Sequence, residues 1–279
     1  MLKKGAIILF FLFSAIALKA QVTMAPLIVY IDPASKMGEF EVNNTSDDMV
    51  EIEISFRFSY FVSDSLGNSK LVWEDSSNSP RNLTPYLKVF PKKAQLKAKT
   101  SQRVKFLLFM PPELEDGLYW TRIITKVLPK ANMIDTIKTE NGVSAGVVII
   151  REFANSIVYQ KGKQITNLSA GEPSVKLDSS LVTVFFDMEQ TGNAPTWAAA
   201  HFRILDEAGK QVDELLQTVA IYDKMRTKFM FDKGKFKPGR YTAEYKFSGE
   251  RDDIPREKRT MFEPITGKFE FNVNGTSRQ

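Results

Sequence analysis

The stretch from Val50 to Val62 constrains the fold more than any other. Val50, Ile52, Ile54, Phe56, Phe58, Tyr60 and Val62 alternate with Glu51, Glu53, Ser55, Arg57 and Ser59. Successive side chains of a strand point to opposite faces, so this period of two buries one row and leaves the other in water. That is the pattern of an antiparallel sheet with one covered face. Phe61 is the exception, a large apolar side chain on the polar row.

The same grammar extends in both directions. Upstream, LIVYID (Leu27 to Asp32), a Pro-Ala-Ser-Lys turn and EFEVNN read as two short strands. Downstream, turn residues in SDSLGNS precede PYLKVFP, QRVKFLLFM and LYWTRIITKVL, with Pro111-Pro112 and Asp116-Gly117 as punctuation. Residues 129 to 142 are polar, contain Asn141-Gly142 and read as a long loop. The stretch VSAGVVIIREFANSIVYQK, Val143 to Lys161, follows; it is rich in β-branched residues and lacks proline. Its residues 143–150 read either as a core strand or as an accessible edge, and residues 153–159 as the strand leading into a connector. After GKQITNLSAGEPS come VTVFFDME, AAAHFRIL, TVAIY, RTKFMF, GRYTAEYKF and GKFEFNV, short strands at sandwich spacing. Asp206 to Gly209 and Lys237 to Gly239 read as turns. The charge-dense ERDDIPREKR (Glu250 to Arg259) reads as a solvated loop. The expectation is an all-β chain of two immunoglobulin-like sandwiches in tandem.

Residues 1–20 have the form of a signal peptide: Lys3 and Lys4, the apolar GAIILFFLFSAIA, and a small residue at Ala20. The expected parts are therefore a signal at 1–20, an N-terminal domain at 21–162 and a C-terminal domain at 163–279. Lys3, Lys4 and Lys19 carry three of the five net positive charges, leaving the mature chain at about +2. The alkaline isoelectric point is thus no argument for nucleic-acid binding. No later stretch is long and apolar enough to span a bilayer. The expected location is the periplasm, with each domain held by its own core, since there is no cysteine for a disulfide.

The chemistry that is missing narrows the function. One histidine, His201, and no cysteine leave no metal cluster. G-x-S-x-G, Walker and G-x-G-x-x-G patterns are absent. No cofactor and no catalytic role are expected, and His201 reads as a structural or surface residue. Two features rise above this background. Between Ser76 and Pro112 there are eight basic residues and no acidic one, and Lys97, Lys99, Arg103 and Lys105 share one strand parity. They form either a solvated face guarding a sheet edge or a cationic surface for a partner. The neighbouring rings of Tyr119 and Trp120 must point to opposite faces, so the pair reads either as packing on both sides or as one candidate exposed aromatic.

The order of these pieces resembles that of the periplasmic pilus-assembly chaperones, the PapD-like family. The matching stretches are VYIDPASKMGEFEVNNTSD, PYLKVFPKKAQLKAKTSQRVKFLL, PPELEDGLYWTRIITKV and REFANSIVYQKG. The second half resembles a divergent Bacteroidota-type branch in Gly192-Asn193, the Asp206 to Lys210 hairpin and Val219 to Tyr222, with Arg226 after it. The resemblance implies a non-enzymatic chaperone that caps a surface-fibre subunit by lending it a strand, with an outer-membrane usher as a further candidate partner. Val143, Ala145, Val147 and Ile149 would form the lent row, and Val148 and Ile150 the opposite one. Members of that family also carry two basic anchors for the subunit's terminal carboxylate. The corresponding positions here are Ile28 and Ser156, and neither is basic. A client carboxylate would then be held otherwise, through Arg151 or the basic face. The competing expectation is a structural or adhesive immunoglobulin-like envelope protein that binds glycan or protein through a loop or that basic face.

Overall fold

The structure, a computed structural model, describes residues 22–74, 79–129, 135–138, 144–147 and 149–274. The expected signal segment and Val143 lie outside these residues. Twenty strands are described: β1 Val22–Ala25, β2 Ile28–Tyr30, β3 Met37–Asn44, β4 Val50–Ser63, β5 Ser69–Glu74, β6 Leu87–Phe90, β7 Lys93–Leu96, β8 Ser101–Leu108, β9 Gly117–Pro129 and β10 Asp135–Lys138. They continue as β11 Ser144–Val147, β12 Arg151–Lys161, β13 Leu168–Ala170, β14 Ser174–Leu177, β15 Leu181–Gln190, β16 Thr196–Asp206, β17 Gln211–Ile221, β18 Lys224–Asp232, β19 Gly239–Ser248 and β20 Ile265–Val273. The all-β expectation holds. No helix among the described residues is long and apolar enough to cross a membrane.

The N-terminal strands form a sheet ordered β1-β3-β8-β6 and another ordered β2-β12-β9-β4-β5, with β7 also on β4. The C-terminal strands form β13-β15-β14, with β18 also on β15, and β17-β16-β19-β20. By compactness the chain divides into two units. The first holds the described residues up to Phe56, Tyr86–Phe109 and Arg122–Ile157; the second holds Arg57–Pro85, Met110–Thr121 and the residues from Val158 on.

In the first unit the alternation works as expected. β8 buries Val104, Phe106 and Leu108 and exposes Arg103, Lys105 and Leu107. Phe106 packs on Phe40 of β3 and on Phe56 of β4, with ring centroids 5.4 and 5.8 Å apart. The turn between β2 and β3 is made by Asp32, whose Oδ1 accepts the N–H groups of Ala34 and Ser35 at 3.1 and 2.7 Å.

The second unit is centred on Phe186, whose ring meets those of Tyr245, Phe247, Phe202 and Phe229 at 4.9 to 6.1 Å. Phe61 packs against this core, and its ring lies 6.1 Å from that of Tyr222. Its place on the polar row of β4 is therefore no defect: the ring is half-buried against this core. For the Tyr119-Trp120 pair the packing reading holds, and no exposed aromatic results. Tyr119 and Trp120 are both buried. Tyr119 donates its hydroxyl to the Glu115 carbonyl at 2.8 Å, with the Arg81 guanidinium 5.3 Å from its ring centroid. Trp120 lies between Phe58 and Tyr222, at 5.3 and 5.2 Å, and donates Nε1–H to the Ser59 carbonyl at 2.9 Å. A single strand cannot reveal that its second face is also covered.

Two further differences are local. The expected loop 129–142 contains β10, which pairs with β11. The connector 162–174 contains β13, and Asn193 closes it against the β15–β16 turn: its Oδ1 accepts Ile165 N–H at 2.7 Å and its Nδ2 donates to the Lys163 and Asp116 carbonyls at 3.0 and 3.2 Å. The Asp206 to Gly209 turn is as expected, with Asp206 Oδ1 accepting Ala208 and Lys210 N–H.

Candidate functional site

The stretch Val143 to Lys161 is not one strand. β11 ends at Val147 and β12 begins at Arg151, with Ile149 and Ile150 outside any strand. β11 pairs antiparallel with β10, Ala145 opposite Ile137 and Val147 opposite Asp135. Ile149 is 66% exposed and Ile150 53%. β12 ends in the opposite condition. Ile157, Val158 and Tyr159 are consecutive and all buried, so both its faces are covered. The chain thus passes from an uncovered apolar segment to a core strand within eight residues.

β12 is tied to the first strands by main chain and side chain. Ser156 N–H donates to the Leu27 carbonyl at 3.1 Å, and Asn155 Nδ2 donates to the Pro26 carbonyl at 3.3 Å. Lys126 of β9 pairs with Glu152 at 3.1 Å. Arg151 lies exposed at the start of the strand. Ser156 occupies the position where the family resemblance places a basic anchor, and its hydroxyl accepts a hydrogen bond from the Arg122 guanidinium. A cation therefore reaches that position from β9. Sequence reasoning missed Arg122 because its placement depends on the pairing of β9 with β12, which no local pattern encodes.

The basic run is arranged differently from the expected single row. Lys97 and Lys99 lie in the turn between β7 and β8, where Lys99 has φ +58, so only Arg103 and Lys105 share a strand face. Four of the run's cations, Lys93, Lys99, Arg103 and Lys105, also have an acid beside them. Lys99 Nζ lies 2.8 Å from Asp47 and donates to the Thr45 carbonyl at 2.7 Å. Lys93 pairs with Glu53 at 3.3 Å. Arg103 and Lys105 stand opposite Glu41 and Glu39 of β3. Opposite charges directly across a ladder attract, so this face is a mixed-charge lattice. The run is acid-free only along the sequence.

His201 of β16 is half-exposed, with Nε2 2.6 Å from Glu214 Oε1. That hydrogen bond holds the Glu214 carboxyl below the usual carboxylate range. The pair cross-links the neighbouring strands β16 and β17.

No protein-family model matches the sequence, and no curated protein matches it. Solved structures do. The YadV chaperone is similar over 90% of this chain and 100% of its own, at 9% identity and a TM-score of 0.46. The CupB2 chaperone of Pseudomonas aeruginosa is similar over 91% of this chain and 100% of its own, at 9% identity and a TM-score of 0.43. A chain of the Salmonella enterica complex between the SafA pilin and the SafB chaperone is similar over 92% of this chain and 99% of its own, at 13% identity and a TM-score of 0.40. What this chain is similar to, along most of its length, is two proteins that bear the name chaperone and a chaperone–pilin complex.

Proposed function

We propose that this protein is an exported, non-enzymatic chaperone that caps subunits of a surface fibre by lending them a strand, residues 143–150. The observation that carries the reading is the exposure of Ile149 and Ile150 together, beside a strand whose far end is buried on both faces. An apolar segment with an exposed end would offer main-chain hydrogen bonds for affinity and alternate apolar side chains for a groove. Val143, Ala145, Val147 and Ile149 would supply the inserted row. Arg122, seated on Ser156, would supply the cation for a client carboxylate that Ile28 and Ser156 lack; a carboxylate taken out of water without one would cost several kcal/mol. The working location would be the periplasm, with an outer-membrane usher as a second partner and no cofactor. The glycan-binding alternative gains nothing from the mixed-charge face of β3 and β8.

The test is co-expression with export, followed by purification on a tag at the C-terminal end. Replacing Ile149 and Ile150 with serine should leave the circular dichroism and melting transition unchanged and abolish co-purification of a fibre subunit. A folded variant that still captures the subunit would refute strand lending by this segment. Loss of the fold would mean that the two isoleucines belong to a core.

A further inference from the structure

The second unit contains a pocket of about 350 Å³ that strand lending does not use, and every residue lining it belongs to that unit. It opens where β17 and β18, the edge strands of the two C-terminal sheets, approach each other, with the β4–β5 hairpin alongside. Phe61, Val219 and Met225 form its apolar wall, and Met230, 48% exposed, contributes an apolar lip. Lys228 and Arg251 are its ionisable side chains, and no carboxylate lines it.

The main chain adds donors. Arg226 N–H donates to Ser63 Oγ at 2.7 Å, which marks the side of β18 turned away from its neighbour β15. In an antiparallel strand the N–H groups of residues two apart point to the same side. The pairing of β18 with β15 runs without a register shift, so the N–H groups of Lys228 and Met230 point to the open side as well. Lys228 Nζ meets a neutral acceptor, Asn68 Oδ1, at 2.5 Å, and the Arg251 guanidinium is shared with Asp253. The opening thus sets Lys228 and Arg251, the latter also paired with Asp253, beside an apolar wall.

We propose that this pocket binds a small amphiphilic anion, a carboxylate on an unbranched apolar tail. The head group sits at Lys228 and Arg251, and the tail lies along Phe61, Val219 and Met225. A neutral apolar molecule would leave the cations unused, and a small inorganic anion would leave the floor wet. The volume is near the lower end of the roughly 300–1,000 Å³ that small-molecule sites occupy, which suits a tail of medium length.

Isothermal titration of the purified full chain with sodium octanoate, sodium butanoate and octylammonium chloride tests this. Octanoate should bind at a single saturable site. Butanoate should bind at least about tenfold more weakly, because each methylene removed from water is worth up to about fourfold in affinity. Octylammonium should not bind. Lys228→Gln together with Arg251→Gln should weaken octanoate by about tenfold or more, the share of charge-assisted hydrogen bonds, with circular dichroism unchanged. Lys268→Gln, on the exposed face of β20, should change nothing. If the double variant fails to fold, Lys228→Gln alone and the head-group comparison on the parent chain decide. Equal binding of octanoate and octylammonium, binding indifferent to tail length or to the cation variants, or no saturable binding at millimolar octanoate would each overturn the proposal. Subunit capture is a separate readout, so failure here leaves strand lending standing.

Discussion

Gly162, where β12 hands the chain on to the C-terminal strands, is a position at which one methyl group should do clear damage. Its φ is +55, a conformation that costs other residues about 1–2 kcal/mol. A Cβ placed there would lie 2.0 Å from Asp116 Oδ1. The Asp116 carboxylate would have to swing away, and it has work where it is: Oδ2 accepts Lys163 N–H at 3.0 Å and Oδ1 lies 3.7 Å from Lys161 Nζ. The carboxylate is half-exposed, so solvent screening reduces the loss of these contacts to about 1 kcal/mol. Gly162→Ala should therefore cost about 2–3 kcal/mol in all. Asp116→Ala should cost about 1 kcal/mol alone and also remove the obstacle, so in that background Gly162→Ala should cost only about 1–2 kcal/mol. The assay is urea unfolding of the four proteins, read by far-ultraviolet circular dichroism and by tryptophan fluorescence, with midpoints compared at a common slope. An equal cost of Gly162→Ala in both backgrounds would refute the steric argument. A cost below about 0.5 kcal/mol, the range of indifferent surface changes, would refute the backbone argument too.

Other expectations are simpler. Phe61→Ser should destabilise the second unit by about 1.5–3 kcal/mol, because the ring packs on the Phe186 core; if Phe61 merely faced water, the change would stay within about 0.5 kcal/mol. Asp178 caps the β14–β15 turn, and the N–H groups of Ser180 and Leu181, both at 2.8 Å from Oδ1, hold its carboxyl below the usual carboxylate range. A depressed carboxyl contributes stability that is present above its unfolded pKa and lost as pH falls through the folded one. Asp178→Ala should accordingly cost more at neutral pH than in acid below the ordinary carboxylate range, and a gap that is flat with pH would contradict that assignment.

The part of this fold written in local alternation was legible. Val50 to Val62 in β4, VTVFFDME in β15 and AAAHFRIL in β16 each declared a strand and its buried row, and Asp206 with Gly209 declared a hairpin. What stayed hidden depends on neighbours far away in sequence. Phe61 looked like an exception because its partners, Tyr222 and the Phe186 core, lie more than 120 residues on. Which of Tyr119 and Trp120 faced outward was undecidable for the same reason. Lys99, Arg103 and Lys105 looked like part of a cationic face because their acids, Asp47, Glu41 and Glu39, lie far earlier in the sequence. β10, β13 and β14 are only three or four residues long, too short to display a period. Along Val143 to Lys161, composition could not separate an open edge from a core strand, since both need β-branched residues. Burial distinguishes only its ends: Ile149 and Ile150 are exposed, and Ile157 to Tyr159 are buried.

Strand lending is tested most directly by hydrogen exchange of the captured complex against the free chain, resolved to peptides by mass spectrometry. The account predicts that binding of a fibre subunit slows exchange of the amides across residues 144–150, while peptides of β8 and of the Lys97 to Lys99 turn exchange at their free rates. A subunit that binds and protects β8 or that turn, leaving 144–150 exchanging as in the free chain, would contradict it.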